Sequence, residues 1–147
     1  PKILLVEDNE MNRDMLSRRL QRKGYEVALA VDGLQGVAMA TSGGYDLILM
    51  DMSLPELDGW EATRRVREAE AGGRVPIIAL TAHALTGERE RCLAQGMNGY
   101  VPKPFRPQEL FAAVERDLRT IPGIGLLTGS ALLNLFTRLP AARAERS

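Results

Sequence analysis

The chain contains little cysteine and no excess of either charge, and both features narrow the class of protein. Its 147 residues include one cysteine, Cys92, which excludes an internal disulfide and a zinc site built from several cysteines. This composition is typical of a reducing, cytoplasmic setting. The 19 basic residues equal the 19 acidic residues, so no basic excess is available for a nucleic acid backbone. We therefore expect neither a disulfide scaffold nor a direct nucleic acid partner.

Long apolar runs are also missing. No stretch approaches the roughly 20 apolar residues of a membrane-spanning helix. The N-terminal residues do not combine a basic start, an apolar centre and a cleavage site of small residues. We expect no membrane partner and a cytoplasmic location. The length is typical of one domain with a sizeable core.

The most informative stretch is YDLILMDMSLPELDGW, at residues 45–60. Its apolar residues 47–50 predict a parallel strand that is buried on both faces. The strand ends at Asp51, and a loop with a proline follows. Ligands of open α/β sheets bind at the carboxyl ends of the strands, which places Asp51 where chemistry occurs. Taken alone, the stretch fits equally well an aspartate that only ends the strand or caps a turn.

The rest of the chain alternates short apolar strands with amphipathic helices. We predict strands at 2–6, 27–30, 47–50, 75–80 and 98–101. We predict helices at about 10–23, 34–42, 58–70, 84–95 and 107–118. Strands and helices that alternate through short loops predict a parallel sheet with helices on both faces. Right-handed crossovers favour a flavodoxin-like, doubly wound three-layer sandwich with strand order 2-1-3-4-5.

Apolar spacing predicts which face of each helix is buried. The first helix has apolar residues at helical spacing at Met11, Met15, Leu16 and Leu20. The second helix is expected to use Leu34, Val37, Ala38 and Thr41. The third is expected to bury Trp60, Thr63 and Val66, and the fifth Leu110, Phe111 and Val114. Cys92 is expected to be a small buried residue of the fourth helix.

Residues 1–118 form the predicted domain, and residues 119–147 differ from it in pattern. This second segment starts with glycines and prolines, and residues 131–139 predict a short amphipathic helix. It is too short for a second domain. Three roles stay open for it: packing on the domain, mediating an oligomer, or linking the domain to a further part of a longer protein.

Polar side chains follow four of the predicted strands. They are Glu7 and Asp8 after the first, Asp51 after the third, Thr81 after the fourth and Lys103 after the fifth. The predicted strand order brings these ends together. Carboxylates that lie close repel each other, and a hard cation such as Mg²⁺ relieves that repulsion. The set predicts phosphoryl transfer to Asp51, with Mg²⁺, Lys103 and Thr81 each interacting with the transferred group.

Four stretches together resemble the receiver domain of two-component response regulators over roughly residues 2–118. They are LLVEDNEMNRDML, LILMDMSLPELDGWEATRRVR, IIALTAHA and GYVPKPF. In appearance they are most similar to receivers of hybrid sensor kinases and to stand-alone receivers.

The resemblance implies a role for each residue at the sheet edge. Asp51 accepts phosphate from a histidine kinase or a histidine phosphotransfer protein. Mg²⁺ is held by Glu7, Asp8, Asp51 and the backbone carbonyl of Ser53, and Mn²⁺ is expected to substitute. The only catalysis implied is the phosphorylation and autodephosphorylation of the chain's own Asp51.

The resemblance also implies how the phosphoryl group is sensed. Thr81 and Lys103 bind it, small Ala82 leaves access to it, and the Lys103–Pro104 peptide bond is cis. Tyr100 rotates inward when Thr81 moves. The face formed by the fourth helix, fifth strand and fifth helix then changes, and a downstream protein reads it. The expected state is a monomer or weak dimer.

Three other functions compete with this interpretation. The complete set of acids, hydroxyl and lysine disfavours a binding module that does not take phosphate. A phosphohydrolase with an aspartyl nucleophile usually has a second acid two residues later, where this chain has Ser53. A flavin-binding protein of the same fold needs a loop rich in serine, threonine and glycine after the first strand, and this chain has acids there.

Some single residues also have a simpler interpretation. Tyr100 can be an ordinary core aromatic, and Trp60 can be packing or surface cover. His83, the only histidine, is expected near the mouth of the site, where it can influence dephosphorylation. It is not expected to carry phosphate, because no kinase helix surrounds it.

Overall fold

The computed structural model describes residues 1–54, 57–70, 75–82 and 87–120. Its strands are β1 (Lys2–Val6), β2 (Glu26–Ala30), β3 (Leu47–Asp51), β4 (Ile77–Thr81) and β5 (Gly99–Pro102). Its helices are α1 (Glu10–Arg22), α2 (Gly33–Ser42), α3 (Gly59–Ala69), α4 (Glu88–Ala94) and α5 (Pro107–Leu118). All strand pairs are parallel, in the order β2-β1-β3-β4-β5. The predicted flavodoxin-like topology is confirmed.

The central strands are buried along their full length. Every residue of β3 and of β4 is buried, which includes the polar residues Asp51 and Thr81 at their ends. Parallel strands covered on both faces have such unbroken apolar runs. Asp51 and Thr81 are the last residues of β3 and β4. The sequence predicted that each of these strands ends one residue earlier. The sheet therefore holds both side chains at its carboxyl edge.

Side-chain caps fix the starts of three helices. Asn9, Asp32 and Asp58 each accept a hydrogen bond from the backbone N–H three residues later, at 2.9, 2.7 and 2.9 Å. Such caps satisfy amides that have no partner within the helix. Two of these caps follow the acid-bearing ends of β1 and β3 closely. They thereby fix where the chain leaves the edge of the sheet.

The predicted buried face of α1 is only partly correct. Leu16 and Leu20 are 3% and 0% exposed, whereas Met11 and Met15 are 79% and 44% exposed. The four residues share helical spacing, but only the second half of the helix faces the sheet. The spacing of apolar residues cannot predict which half of the helix is buried, because it contains no information on where the helix axis leaves the core.

The predicted face of α2 is only partly correct. Val37 is half-buried against the core, as predicted, but Leu34 and Ala38 are exposed. The buried residues of α2 are Gly33 and Gly36. A Cβ atom on Gly36 would lie 2.9 Å from both methyl carbons of Val6. The glycine therefore allows α2 to lie close to β1, and apolar periodicity gives no weight to glycine.

The other helix predictions fall within the described residues only in part. In α3 the residues Thr63 and Val66 are buried and Trp60 is half-buried, as predicted, and in α4 Cys92 is fully buried. The described part of α4 begins at Glu88, later than the predicted residue 84. His83 and the predicted helix at 131–139 lie outside the described residues.

The chain divides into two units, Pro1–Asp117 and Leu118–Ser147. The described residues belong almost entirely to the first unit. The domain boundary at residue 118 and the role of the second segment stay predictions. Among the described residues, no helix has the length and apolar character needed to cross a membrane.

The start of α3 lies directly against the backbone of the acid-bearing strand. A Cβ atom on Gly59 would lie 2.8 Å from the Asp51 carbonyl oxygen and 2.9 Å from the Met52 Cα atom. Both atoms belong to the backbone, so neither can rotate away. Glycine at this position therefore sets the distance between α3 and the end of β3.

We expect Gly59→Ala to destabilise the fold by about 1–3 kcal/mol, since extra atoms in a tightly packed contact force the backbone to shift. Helix propensity alone favours alanine over glycine and therefore predicts that Gly59→Ala stabilises the fold. The free energy of unfolding in urea tests this. Glu68→Ala, at an exposed position of the same helix, is the control and should change it by less than about 0.5 kcal/mol. A Gly59→Ala variant as stable as the parent chain would contradict the packing argument.

Candidate functional site

Three carboxylates meet where β1 and β3 end. In these neighbouring strands Val6 lies opposite Met50, so Glu7 and Asp51 are the next residues along each chain. Carboxylate oxygens of Glu7, Asp8 and Asp51 all lie within 4.8 Å of one another. Glu7 and Asp51 are 1% and 2% exposed, while Asp8 is exposed.

Lys103, which directly follows the edge strand β5, brings a positive charge to these acids. Its Nζ atom lies 3.2 Å from Asp51 Oδ1 and 3.7 Å from Glu7 Oε1. The backbone N–H of Lys103 donates to the Thr81 carbonyl oxygen at 2.6 Å, and the Lys103–Pro104 peptide bond is cis. The end of β4 thus fixes the backbone from which the lysine side chain reaches Asp51.

One ammonium group does not balance the three acids. Burial, followed by the interaction with the Asp51 carboxyl, raises the pKa of Glu7 from 4.5 to about 7. The Asn9 backbone N–H donates to Glu7 Oε2 at 3.1 Å and opposes this shift, as does the charge of Lys103. Glu7 Oε1 is buried and accepts no hydrogen bond from any described residue.

These features fit a hard divalent cation. Mg²⁺ prefers carboxylate and carbonyl oxygens, keeps several water molecules, and needs only a few protein ligands. The buried Glu7 Oε1, which accepts no hydrogen bond from a described residue, offers a fixed ligand, and the exposed Asp8 leaves an open side for water. The donor set contains oxygen only, which suits magnesium better than a soft transition metal.

Neighbouring residues complete the surroundings of Asp51. The Ser53 backbone N–H donates to Asp51 Oδ1 at 3.1 Å, and the Ser53 side chain is exposed. Ala82 is exposed and directly follows Thr81. Tyr100 is half-buried and packs against the core. The structure therefore brings Glu7, Asp8, Asp51 and Lys103 together. Tyr100 lies on β5, the strand that Lys103 follows.

Thr81 has a partner that the sequence did not indicate. Its hydroxyl donates to Glu88 Oε2 at 3.2 Å, and the two residues are 1% and 7% exposed. Glu88 is the first residue of α4. An acid at the start of a helix is ordinary in sequence, so no pattern distinguished this one from the exposed Glu90.

Arg13 was also missed. Its Nη1 atom donates to the backbone carbonyl of Glu7 at 2.9 Å and to that of Asp8 at 3.3 Å. The guanidinium thus holds the loop that carries two of the acids. An arginine placed one turn into α1 is the only signal for it, and surface arginines at such positions are common.

A family model and a solved structure that are similar to this chain are both described as receiver domains. A family model described as the response regulator receiver domain matches residues 3–115. The solved receiver domain of sensor histidine kinase PA1611 from Pseudomonas aeruginosa PAO1, with a magnesium ion in its active site cleft, is 52% identical. That similarity covers 80% of this chain and 97% of that one, with a TM-score of 0.73.

Two curated relatives are much longer than the similar region. Hybrid signal transduction histidine kinase I of Dictyostelium discoideum is 40% identical over 124 residues, which are 80% of this chain and 7% of the kinase. Transcriptional regulatory protein CusR of Escherichia coli K12 is 35% identical over 146 residues, which are 99% of this chain and 63% of CusR. The chain spans less than two thirds of either relative.

We expect Glu7→Gln to stabilise the chain at pH 8 in the absence of divalent cations. The folded-state pKa of Glu7, about 7, lies above its ordinary value of 4.5, so ionisation destabilises the fold increasingly between these two values. The glutamine removes this effect and should raise the free energy of unfolding at pH 8 by about 1–3 kcal/mol. The gain should shrink toward zero as the pH falls to about 4.5.

Urea denaturation in a chelating buffer at several pH values measures this gain. Glu10→Gln, which removes a nearby exposed acid at the start of α1, is the control and should show little change. Mg²⁺ should stabilise the parent chain and Glu10→Gln, and stabilise Glu7→Gln much less. A gain that grows as the pH falls would show that the sign of the Glu7 shift is wrong.

Proposed function

Since the chain belongs to the response regulator receiver domain family, we propose that it is a phosphoacceptor switch of a two-component phosphorelay, with Asp51 as the acceptor. The family membership confirms the resemblance noted in the sequence. The observation that carries the proposal is the setting of Asp51. It is buried at a strand end, 3.2 Å from the Lys103 ammonium, with two further carboxylates beside it.

The proposed reaction uses the Asp51 carboxylate as a nucleophile. One carboxylate oxygen attacks the phosphorus of a phosphohistidine on a histidine kinase or a histidine phosphotransfer protein. The new O–P bond forms as the P–N bond breaks, and the histidine nitrogen leaves with its electron pair. The Lys103 ammonium is positioned to offset the charge that Asp51 gains on phosphorylation.

Glu7, Asp8, Asp51 and the backbone carbonyl of Ser53 would hold Mg²⁺, and Mn²⁺ would substitute for it. The metal, when bound, supplies positive charge next to the transferring phosphoryl oxygens. The magnesium ion in the cleft of the PA1611 receiver supports this assignment. The fixed Glu7 and the loop held by Arg13 position the ligands before phosphate arrives.

The proposed switch residues lie on β4, directly after it and on β5. Thr81 would turn its hydroxyl toward the phosphoryl group, and exposed Ala82 would leave the group accessible. Tyr100 would follow Thr81 inward, since β5 carries it next to β4. The surface formed by α4, β5 and α5 would then present a new shape to a downstream protein. Phosphorylation acts here as a population shift between two states.

We propose a cytoplasmic location and a monomer or weak dimer for the isolated receiver. Its only catalysis would be its own phosphorylation and dephosphorylation. The relatives extend well beyond the region that this chain matches, and the proposed function is that of the receiver alone.

The proposed function predicts that the folded chain gains one phosphoryl group when incubated with acetyl phosphate and Mg²⁺. Intact mass spectrometry measures the gain. Asp51→Asn and removal of Mg²⁺ should each abolish it, because the first removes the nucleophile and the second the neutralising charge. Lys103→Ala should slow it by about 10–100-fold, as expected for the loss of one charged contact in the transition state.

Asp14→Asn, at an exposed acid of α1, serves as the matched control and should behave as the parent chain does. If the folded chain is stabilised by Mg²⁺ and still takes no phosphoryl group, the proposal fails. A receiver-like module that works without phosphate would then be the better interpretation.

A further inference from the structure

The hydroxyl of Thr81 is engaged on the side of the sheet edge where α4 begins. It donates to Glu88 Oε2 at 3.2 Å, and both side chains are almost fully buried. A threonine hydroxyl has one proton to donate. While that proton is directed at Glu88, it cannot be donated to a phosphoryl oxygen on Asp51.

Glu88 is held in place by the packing of α4. The helix buries Cys92, one turn after Glu88, completely. Between Glu88 and Cys92 along the helix, the Arg91 guanidinium lies 4.2 Å from the ring centre of Trp60, which belongs to α3. Movement of the Glu88 backbone therefore has to disturb a contact between two helices.

We propose that Glu88 is a positioning residue that holds Thr81 in the resting state by accepting its hydroxyl proton. The inference rests on the function proposed above. On phosphorylation of Asp51, a phosphoryl oxygen competes with the Glu88 carboxylate for the same proton. Thr81 changes acceptor, Glu88 loses its partner, and the first turn of α4 is free to move.

This arrangement links a bond at the site to the position of a helix. The Thr81–Glu88 bond stabilises the resting state and contributes nothing to the phosphorylated one. Removing it therefore raises the fraction of chains in the active state by the factor that the bond contributed. A net hydrogen bond to a charged group such as a carboxylate corresponds to a population change of about 10- to 100-fold.

The test compares phosphorylation rates with acetyl phosphate and Mg²⁺ across matched variants of the full chain. Glu88→Ala should phosphorylate up to about 10- to 100-fold faster than the parent chain, the full contribution of a hydrogen bond to a charged group. Glu88→Gln keeps a weaker, uncharged acceptor and should accelerate the reaction less. Glu90→Ala, which removes an exposed acid from the same helix, should leave the rate unchanged.

A Thr81→Ala background separates positioning from a general effect of the Glu88 charge. In that background the hydroxyl is absent, so Glu88→Ala should produce no further acceleration. Emission from Trp60, the only tryptophan, gives a second readout. Unphosphorylated Glu88→Ala should shift toward the emission of the phosphorylated parent, because its α4 is released from the resting position.

Each outcome has a definite meaning. A parent chain that takes no phosphoryl group overturns the proposed function and this inference together. If the parent is phosphorylated and Glu88→Ala and Glu88→Gln match Glu90→Ala, the positioning role alone is wrong. Equal acceleration with and without the Thr81 hydroxyl also overturns it, since Glu88 would then act through its charge. If Glu88→Ala does not fold, the test uses Glu88→Gln. The positioning role is then wrong if Glu88→Gln does not accelerate phosphorylation, or if it accelerates it equally in the Thr81→Ala background.

Discussion

The repulsion between Glu7, Asp8 and Asp51 is the interaction on which the arrangement of this chain depends. Glu7 is almost fully buried, and burial without enough positive charge disfavours the ionisation of its carboxyl. The raised pKa of Glu7 records that conflict. A fold optimised only for stability would not place three acids together, so their presence points to a ligand that relieves them.

The fold tolerates this conflict because the rest of the edge is rigid. β1, β3 and β4 are the three central strands, and their apolar residues are buried almost without exception. Gly36 and Gly59 allow α2 and α3 to pack against the strand ends at distances that a Cβ atom would prevent. The backbones that carry Glu7 and Asp51 are therefore held close together. A rigid edge keeps the oxygen ligands together before a cation or a phosphoryl group binds.

The topology and the main site residues could be read from the sequence because both follow local patterns. Short apolar runs that end in Glu7, Asp51 or Thr81 identify the strands and their carboxyl ends at once. The faces of α1 and α2 could not be read in the same way. Met11 is exposed and Gly36 is buried because of where each helix meets the sheet, which is a property of packing and not of spacing.

The partners Arg13 and Glu88 were missed for a related reason. Both are charged residues on helices, and in sequence they look the same as their exposed neighbours. Their contacts join positions that are close along the chain, six and seven residues apart, yet depend on the direction of a helix after a loop. A motif records which residues a reaction needs. It does not record which side chains hold those residues when no reaction takes place.

The resting state of a switch requires contacts of its own, and the Thr81–Glu88 bond is of this kind. Without the Glu88 acceptor, the Thr81 hydroxyl would point toward Asp51 in a larger fraction of unphosphorylated chains. Phosphorylation would then change the population of the active state little. The Glu88 carboxylate, as a competing acceptor, directs the hydroxyl away from Asp51 and favours the resting state. Phosphorylation can then shift the equilibrium from the resting state to the active state. The bond must also be weaker than the one that replaces it. The Thr81–Glu88 hydrogen bond at 3.2 Å, set against a phosphoryl group with up to two negative charges, is expected to meet both conditions.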